Sequence, residues 1–160
     1  MAEGQVLDHA GRTDEALARL QKTIELDPNF WFAHMFASSV YIEKGMFTEA
    51  VSEARKATDL FGVNSNSLAL LGYALAKSGK ETEARGVLQE LLKLSTERHV
   101  SPHNIALIYN GLGEQDDTLA WLERGFKERD PRMVFLKVGP KWNNLHADPR
   151  FQDVLRRLGL

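Results

Sequence analysis

The fold is decided by the stretch SSVYIEKGMFTEA, which runs from Ser38 to Ala50. Its apolar first half ends at Gly45, and glycine ends a helix readily because it adopts the left-handed conformation without a Cβ clash. Glu49 follows, and an acidic residue is favoured in the first turn of a helix because it complements the helix dipole. The stretch therefore predicts a helix, a tight turn at Gly45 and a second helix.

The same pattern recurs along most of the 160-residue chain. Glycines stand at positions 11, 45, 79 and 113, so the step is 34 residues each time. At fixed distances from each glycine, some positions hold small residues and others hold large apolar or aromatic residues. The columns are Gly4, Ser38, Gly72 and Ala106 seven residues before it, Leu7, Tyr41, Leu75 and Tyr109 four before it, and Ala16, Ala50, Ala84 and Thr118 five after it. A fixed period of this length indicates stacked supersecondary units.

This helix-turn-helix unit resembles the tetratricopeptide repeat. The resemblance covers about residues 1–131 and implies an all-α fold, a right-handed α-solenoid of about four repeats. We expect a repeat array over 1–130, with units at about 1–30, 31–64, 65–98 and 99–130. Helices are expected at about 2–10, 14–26, 30–44, 47–60, 65–78, 81–96, 101–112 and 115–128.

Residues 131–160 leave the periodic pattern. Pro131, Gly139-Pro140 and Asp148-Pro149 divide this segment, and an aspartate followed by proline is typical of a helix start. A repeat array exposes an apolar face at its end unless a terminal element covers it. We therefore expect a degenerate fifth unit, with its first helix at 131–138, and a C-terminal capping helix at 149–158.

The C-terminal sequence has a narrower resemblance, carried by Trp121 to Phe126 and by residues 137–158. It looks like the end of bacterial modular tetratricopeptide proteins. In that group the repeats commonly follow a signalling module, such as a nucleotide cyclase, a winged-helix DNA-binding domain or a Ser/Thr kinase. The resemblance implies that the chain is a fragment of a larger bacterial regulatory protein with an effector domain upstream.

The composition argues against several classes of function. The chain has 20 Lys+Arg, 22 Asp+Glu and a formal net charge of −2, so it lacks the basic field that holds nucleic-acid phosphates. The absence of cysteine removes disulfides, thiolate zinc sites and cysteine nucleophiles. No window reaches the roughly 18 to 20 apolar residues of a membrane span, and Met1-Ala2-Glu3-Gly4 does not open a basic region followed by an apolar stretch, as a signal peptide would. We expect a cytoplasmic protein with no nucleic-acid or membrane partner.

The sequence contains no convincing catalytic pattern. His99 and His103 are four residues apart, as two metal ligands on one helix face would be, but no third ligand is evident. Neither a Gly-x-Ser-x-Gly nucleophile elbow nor a Gly-Lys-Ser/Thr phosphate loop occurs. Acidic pairs such as Asp116 and Asp117 recur at helix starts, which favours dipole complementation over acid-base chemistry. We predict no enzyme, no cofactor and no metal.

The concave face of such an array is lined by the first helix of each unit. Because Ser38 and Tyr41 face the partner helix, residues about half a turn away point into the concavity, and the 34-residue shift carries them into later units. The predicted groove comprises Phe32, Met35, Phe36 and Ser39, then Asn66, Ala69, Leu70 and Tyr73, then His103, Asn104 and Leu107. Its asparagines can pair with a peptide backbone, and its apolar end suits hydrophobic anchors.

These residues predict a non-catalytic scaffold for protein–protein interaction. Its partner would be a peptide segment, a partner domain or the upstream effector domain of the same chain. An alternative for the stripe of Phe32, Met35 and Phe36 is packing inside the superhelix. The alternative function is self-association as a homo-oligomer through an exposed terminal repeat, with Val6, Leu7 and Leu17 uncovered.

Overall fold

The computed structural model describes residues 12–160, and the regular elements within this range are all helical. The expected helix at 2–10, with the repeat positions Gly4, Leu7 and Gly11, lies outside this range. The elements are α1 Thr13–Leu26, α2 Trp31–Glu43, α3 Phe47–Phe61, α4 Ser65–Lys77, α5 Glu81–Glu97, α6 Pro102–Gly111, α7 Gln115–Lys127, a first 3-10 helix Pro131–Phe135, a second 3-10 helix Pro140–Leu145 and α8 Pro149–Arg157. The predicted all-α solenoid is confirmed.

Three equivalent turns separate the two helices of each unit. Gly45, Gly79 and Gly113 have φ values of 72°, 85° and 77°, in the left-handed region that a side chain disfavours. After each glycine, the next backbone N–H donates to the carbonyl of the Tyr or Leu four residues before the glycine, at 2.9 to 3.1 Å. The glycine column and the Tyr or Leu column therefore serve one turn, which closes the end of the helix.

The small residues of the repeat lie where the two helices of a unit meet. Ser38 and Ala50 are fully buried between α2 and α3. The Ser38 hydroxyl donates to the Ala50 carbonyl oxygen at 2.8 Å, which satisfies a buried polar group and joins the two helices. Ala84 and Thr118 are equally buried in the next two units. Small side chains thus allow the close approach on which each pair depends.

The units stack so that their first helices share one layer. Helix α4 contacts both α2 and α6, while α3, α5 and α7 cover the other side. Glycine sets the distance between α4 and α6, because a Cβ at Gly72 would lie 2.6 Å from Ile108 Cδ1. The resulting inner layer of α2, α4 and α6 carries the candidate site.

The C-terminal segment differs from the expected helix at 131–138. The first 3-10 helix covers only Pro131–Phe135, and the second, Pro140–Leu145, was not expected from the sequence. Between them, the backbone N–H of Gly139 donates to the Phe135 carbonyl oxygen at 2.8 Å, and a Cβ at Gly139 would lie 2.9 Å from that oxygen, which favours glycine there. The capping helix expected at 149–158 corresponds to α8, whose N-cap Asp148 accepts a hydrogen bond from the backbone N–H of Arg150.

This segment is part of the core. Met133, Leu136, Trp142 and Leu145 are buried in the same cluster as Phe151 of α8 and the residues of the inner layer. Ion pairs then join α8 to α7, from Arg150 to Asp116 at 2.7 Å and from Arg157 to Glu123 at 2.8 Å. The end of the repeat array is therefore covered by apolar packing, with ion pairs around its edge.

The contact between Gly72 and Ile108 gives a first prediction. We expect Gly72→Ala to destabilise the fold by about 1–3 kcal/mol, because the new methyl group overpacks the α4–α6 contact. Gly86→Ala is the control, since Gly86 lies in α5 with open space around its Cβ position. It should stabilise the fold by about 0.5–1 kcal/mol through helix propensity. Urea denaturation measures both changes, and equal effects from the two variants would contradict the packing argument.

Candidate functional site

A cavity of about 210 Å³ lies on the inner layer, enclosed on one side by the C-terminal segment. We call it the slot. Its floor comes from the first helices of three units and its wall from the two 3-10 helices. The lining residues are Met35, Phe36, Ser39 and Glu43 of α2, Asn66, Ala69 and Leu70 of α4, His103, Asn104 and Leu107 of α6, and Arg132, Phe135, Gly139, Pro140, Lys141 and Trp142 of the wall.

The structure brings nine of the eleven predicted groove residues to this slot; Phe32 and Tyr73 do not line it. Tyr73 is buried in the core, where its ring packs at the Gly111 position of α6. This burial raises the pKa of the Tyr73 hydroxyl to about 12. Phe32 instead packs its ring against Phe36, with centroids 4.7 Å apart. The structure therefore corrects the prediction that Phe32 and Tyr73 line the groove.

The wall of the slot was not expected from the sequence. Lys141 Nζ donates to Ser39 Oγ at 3.1 Å, which connects the second 3-10 helix with α2. Asn110 of α6 holds the same segment by donating to the Lys141 carbonyl oxygen at 2.8 Å. Trp142 packs edge-on to His103, with ring centroids 5.1 Å apart. Because this segment lacks the 34-residue period, its sequence shows apolar residues but does not indicate which part of the array they contact.

The two asparagines of the floor bind each other. Asn104 Nδ2 donates to Asn66 Oδ1 at 2.9 Å, between α6 and α4. Asn104 is buried, whereas Asn66 is half-buried. Because Asn104 uses its amide within the floor, Asn66 is the asparagine better placed to meet a bound molecule.

His103 is a polar side chain of the floor, and both of its ring nitrogens are buried. Neither ring nitrogen has a hydrogen-bond partner among residues 12–160. Burial lowers the pKa of His103 to about 4, and the positive charges of Arg132 and Lys141 act in the same direction against the opposing Asp130. The ring is therefore neutral near pH 7. Helix α6 begins at Pro102, so His99 and His103 do not share a helix face as two metal ligands would.

Asp130 joins the start of the wall to the start of α6. Its buried carboxylate accepts hydrogen bonds from the Ser101 hydroxyl and from the backbone N–H groups of His103 and Arg132, the latter two at 3.1 and 3.0 Å. Burial by itself raises the pKa of Asp130, but these hydrogen bonds outweigh it and the net pKa is lowered. One ionised carboxylate thus fixes Arg132 at the edge of the slot.

Comparison with known sequences finds two bacterial relatives, and no family model matches the chain. "TPR repeat-containing protein YpiA" of Bacillus subtilis (strain 168) is 26% identical over 125 residues, which are 77% of this chain and 30% of the relative. "Bacteriophage adsorption protein A" of Escherichia coli (strain K12) is 26% identical over 133 residues, which are 83% of this chain and 13% of the relative. The chain thus spans less than a third of the length of these relatives.

Two solved structures share the fold over nearly the whole chain. MamA matches with a TM-score of 0.58 and 19% identity, over 98% of this chain and 92% of its own. YrrB, described as a TPR protein with an unusual peptide-binding site, matches with a TM-score of 0.55 and 23% identity, over 96% and 80%. The chain therefore has the fold of a tetratricopeptide repeat array.

The slot of this tetratricopeptide repeat array suits non-covalent binding. Between residues 12 and 160, no three His, Asp or Glu side chains come together as a metal site would require. The helices of this part of the chain also lack the combination of length and apolar composition that a transmembrane span needs. The slot combines an apolar floor with a few polar groups at its edge, which is the usual chemistry of a recognition site.

The hydrogen bonds of Asp130 give a second prediction, for the stability of the tetratricopeptide repeat array. Because its folded pKa lies below the ordinary value, its contribution is present above about pH 4 and is lost as the pH falls through the folded pKa. We expect Asp130→Asn to cost about 1–3 kcal/mol at neutral pH and less in acid. Urea denaturation from pH 7 to pH 3 measures this, with Asp59→Asn on an exposed position of α3 as the control. An equal loss at both ends of the range would contradict it.

Proposed function

We propose that this repeat array is a non-catalytic scaffold for protein–protein interaction that binds a peptide segment of its partner in the slot. The slot itself carries the proposal, because it is a concave apolar site on the inner layer with polar groups at its edge. The likeness to YrrB, which is described as having a peptide-binding site, supports a peptide over a small metabolite as the ligand.

The size of the slot defines how such a segment binds. Its volume of about 210 Å³ is below the roughly 300 to 1,000 Å³ of pockets that hold a whole drug-sized ligand. Trp142 of the wall also packs edge-on against His103 of the floor, with ring centroids 5.1 Å apart. An extended segment that inserts one or two apolar side chains fits this space better than a helix laid along the groove.

The floor can accept different apolar anchors. Met35, Leu70 and Leu107 offer apolar surface, and methionine adapts its shape to what it contacts. Asn66 and Ser39 are half-buried polar groups beside this surface, where they can pair with the backbone of an extended peptide. Apolar anchoring with a polar edge is the general arrangement of protein interfaces.

The state of His103 supports a function without catalysis. A general base needs a proton donor within hydrogen-bond reach and an orienting partner. The ring nitrogens of His103 contact no such hydroxyl or carboxylate in the described part of the chain, and Trp142 covers the ring. The slot therefore holds this histidine as a packed neutral ring.

We place this function inside a larger bacterial regulatory protein, because the matched bacterial relatives are much longer than the matched region. Self-association through the first repeat has no such support. Val6 and Leu7 lie outside the described residues, and Leu17 is buried with Leu20 and Val40. The slot is thus the surface on which the proposed function depends.

The proposal predicts the effect of a charge in the floor. Twelve-residue peptides selected from a random display library on the wild-type chain should bind Phe36→Asp at least about tenfold more weakly, because the carboxylate is desolvated at the contact. Phe32→Asp is the matched control, since Phe32 packs beside Phe36 without lining the slot. Fluorescence anisotropy measures the affinities, and circular dichroism checks that the variants stay helical.

A second variant tests the slot as the binding site without adding a charge. Ser39→Leu fills the edge of the slot without placing a charge there, and it should also weaken the selected peptides. Unchanged affinity in both Phe36→Asp and Ser39→Leu would show that the peptides bind elsewhere on the array.

A further inference from the structure

We infer that the bound segment carries an acidic side chain next to its apolar anchor, and that Arg132 of the first 3-10 helix recognises it. This inference rests on the peptide-binding function proposed above and adds the charge of the ligand. It assigns specificity to the C-terminal wall, outside the repeated units.

Arg132 differs from the other arginines in its surroundings. Its guanidinium has no ion pair and no side-chain hydrogen bond to any residue between 12 and 160, although it is half-buried and lines the slot. Most other arginines of that range pair with a carboxylate, such as Arg85 with Glu114 and Arg150 with Asp116. A guanidinium offers five donors in a planar fork that matches a carboxylate. Arg132 thus has donors available at the edge of the slot.

The neighbouring carboxylate of Asp130 does not use these donors. Asp130 accepts from the Ser101 hydroxyl and from two backbone N–H groups, one of them that of Arg132 itself. These bonds fix the backbone at Arg132 but do not involve its side chain, which lines the slot. The fold therefore fixes the backbone at Arg132, while its guanidinium is unpaired within the described residues.

The groups that line the slot also favour a negative ligand. Its ionisable side chains are Glu43, Arg132, Lys141 and the neutral His103, so two positive charges face one negative charge. The whole chain, by contrast, has a formal net charge of −2. An excess positive charge beside apolar surface attracts an anion more strongly than it would in open water.

A single carboxylate fits this site better than a phosphate does. The N-terminus of α6, which is an obvious anion site, already has the Asp130 carboxylate on the backbone N–H of His103. Lys141 is held at Ser39. One guanidinium next to an apolar floor matches an aspartate or glutamate that flanks an apolar residue in a peptide.

The test repeats the display selection with three proteins. Peptides selected on the wild-type chain should be enriched in Asp or Glu at a fixed distance from an apolar residue. Arg132→Glu should replace this preference by Lys or Arg. Arg129→Glu is the control, because Arg129 is exposed three residues away and does not line the slot, and its peptides should match those of the wild type.

A quantitative arm uses one selected peptide and its variant with Gln in place of the acidic residue. We expect Arg132→Gln to weaken the acidic peptide about tenfold and the Gln peptide hardly at all, so that the double-mutant cycle shows coupling. Thermal unfolding checks that the variants remain folded.

The outcomes separate this inference from the function on which it rests. Peptides that depend on Phe36 but show no acidic preference would overturn the role of Arg132 and leave the slot as the binding site. A selection that enriches no peptide, or only peptides indifferent to Phe36→Asp and Ser39→Leu, would overturn both.

Discussion

The left-handed turn at the repeat glycines among residues 12–160 is the constraint on which the rest of the structure depends. At Gly45, Gly79 and Gly113 the chain passes from one helix to the next in three residues, with the same closing hydrogen bond each time. Identical turns give helix pairs of similar geometry, and similar pairs stack with their first helices side by side. No single pair can bury its apolar face alone, so the stack and the inner layer form together.

The end of the stack determines the site. Leu136, Trp142 and Leu145 bury their side chains in the core that also contains Phe151 of α8. Removing this segment would expose all of that apolar surface to water, at about 25 cal/mol per Å². The wall of the slot is therefore part of the folded core, like the helices it covers. The slot combines a floor from the repeated units with a wall from a segment that has no repeat.

Two polar groups near the start of α6 show how hydrogen bonding sets charge. The buried Asp130 carboxylate stays ionised because three donors surround it, whereas the His103 ring stays neutral because it has no partner and is desolvated. The same segment then places Arg132 at the slot without a carboxylate on its guanidinium. The electrostatics of the site thus come from the arrangement of its backbone and from burial, more than from the overall charge of the chain.

The sequence by itself determined the repeat, its turns and the inner layer, because the glycines, the small residues and the large apolar columns act through contacts at fixed spacing. It also indicated nine residues that line the slot, since a helix face follows from its period. It failed for Phe32, which packs against Phe36, and for Tyr73, which α6 covers at Gly111. It also missed Arg132, Lys141 and Trp142. Only the tertiary structure decided where residues 131–145 lie, because a segment without a period is placed by packing with residues far away in the chain.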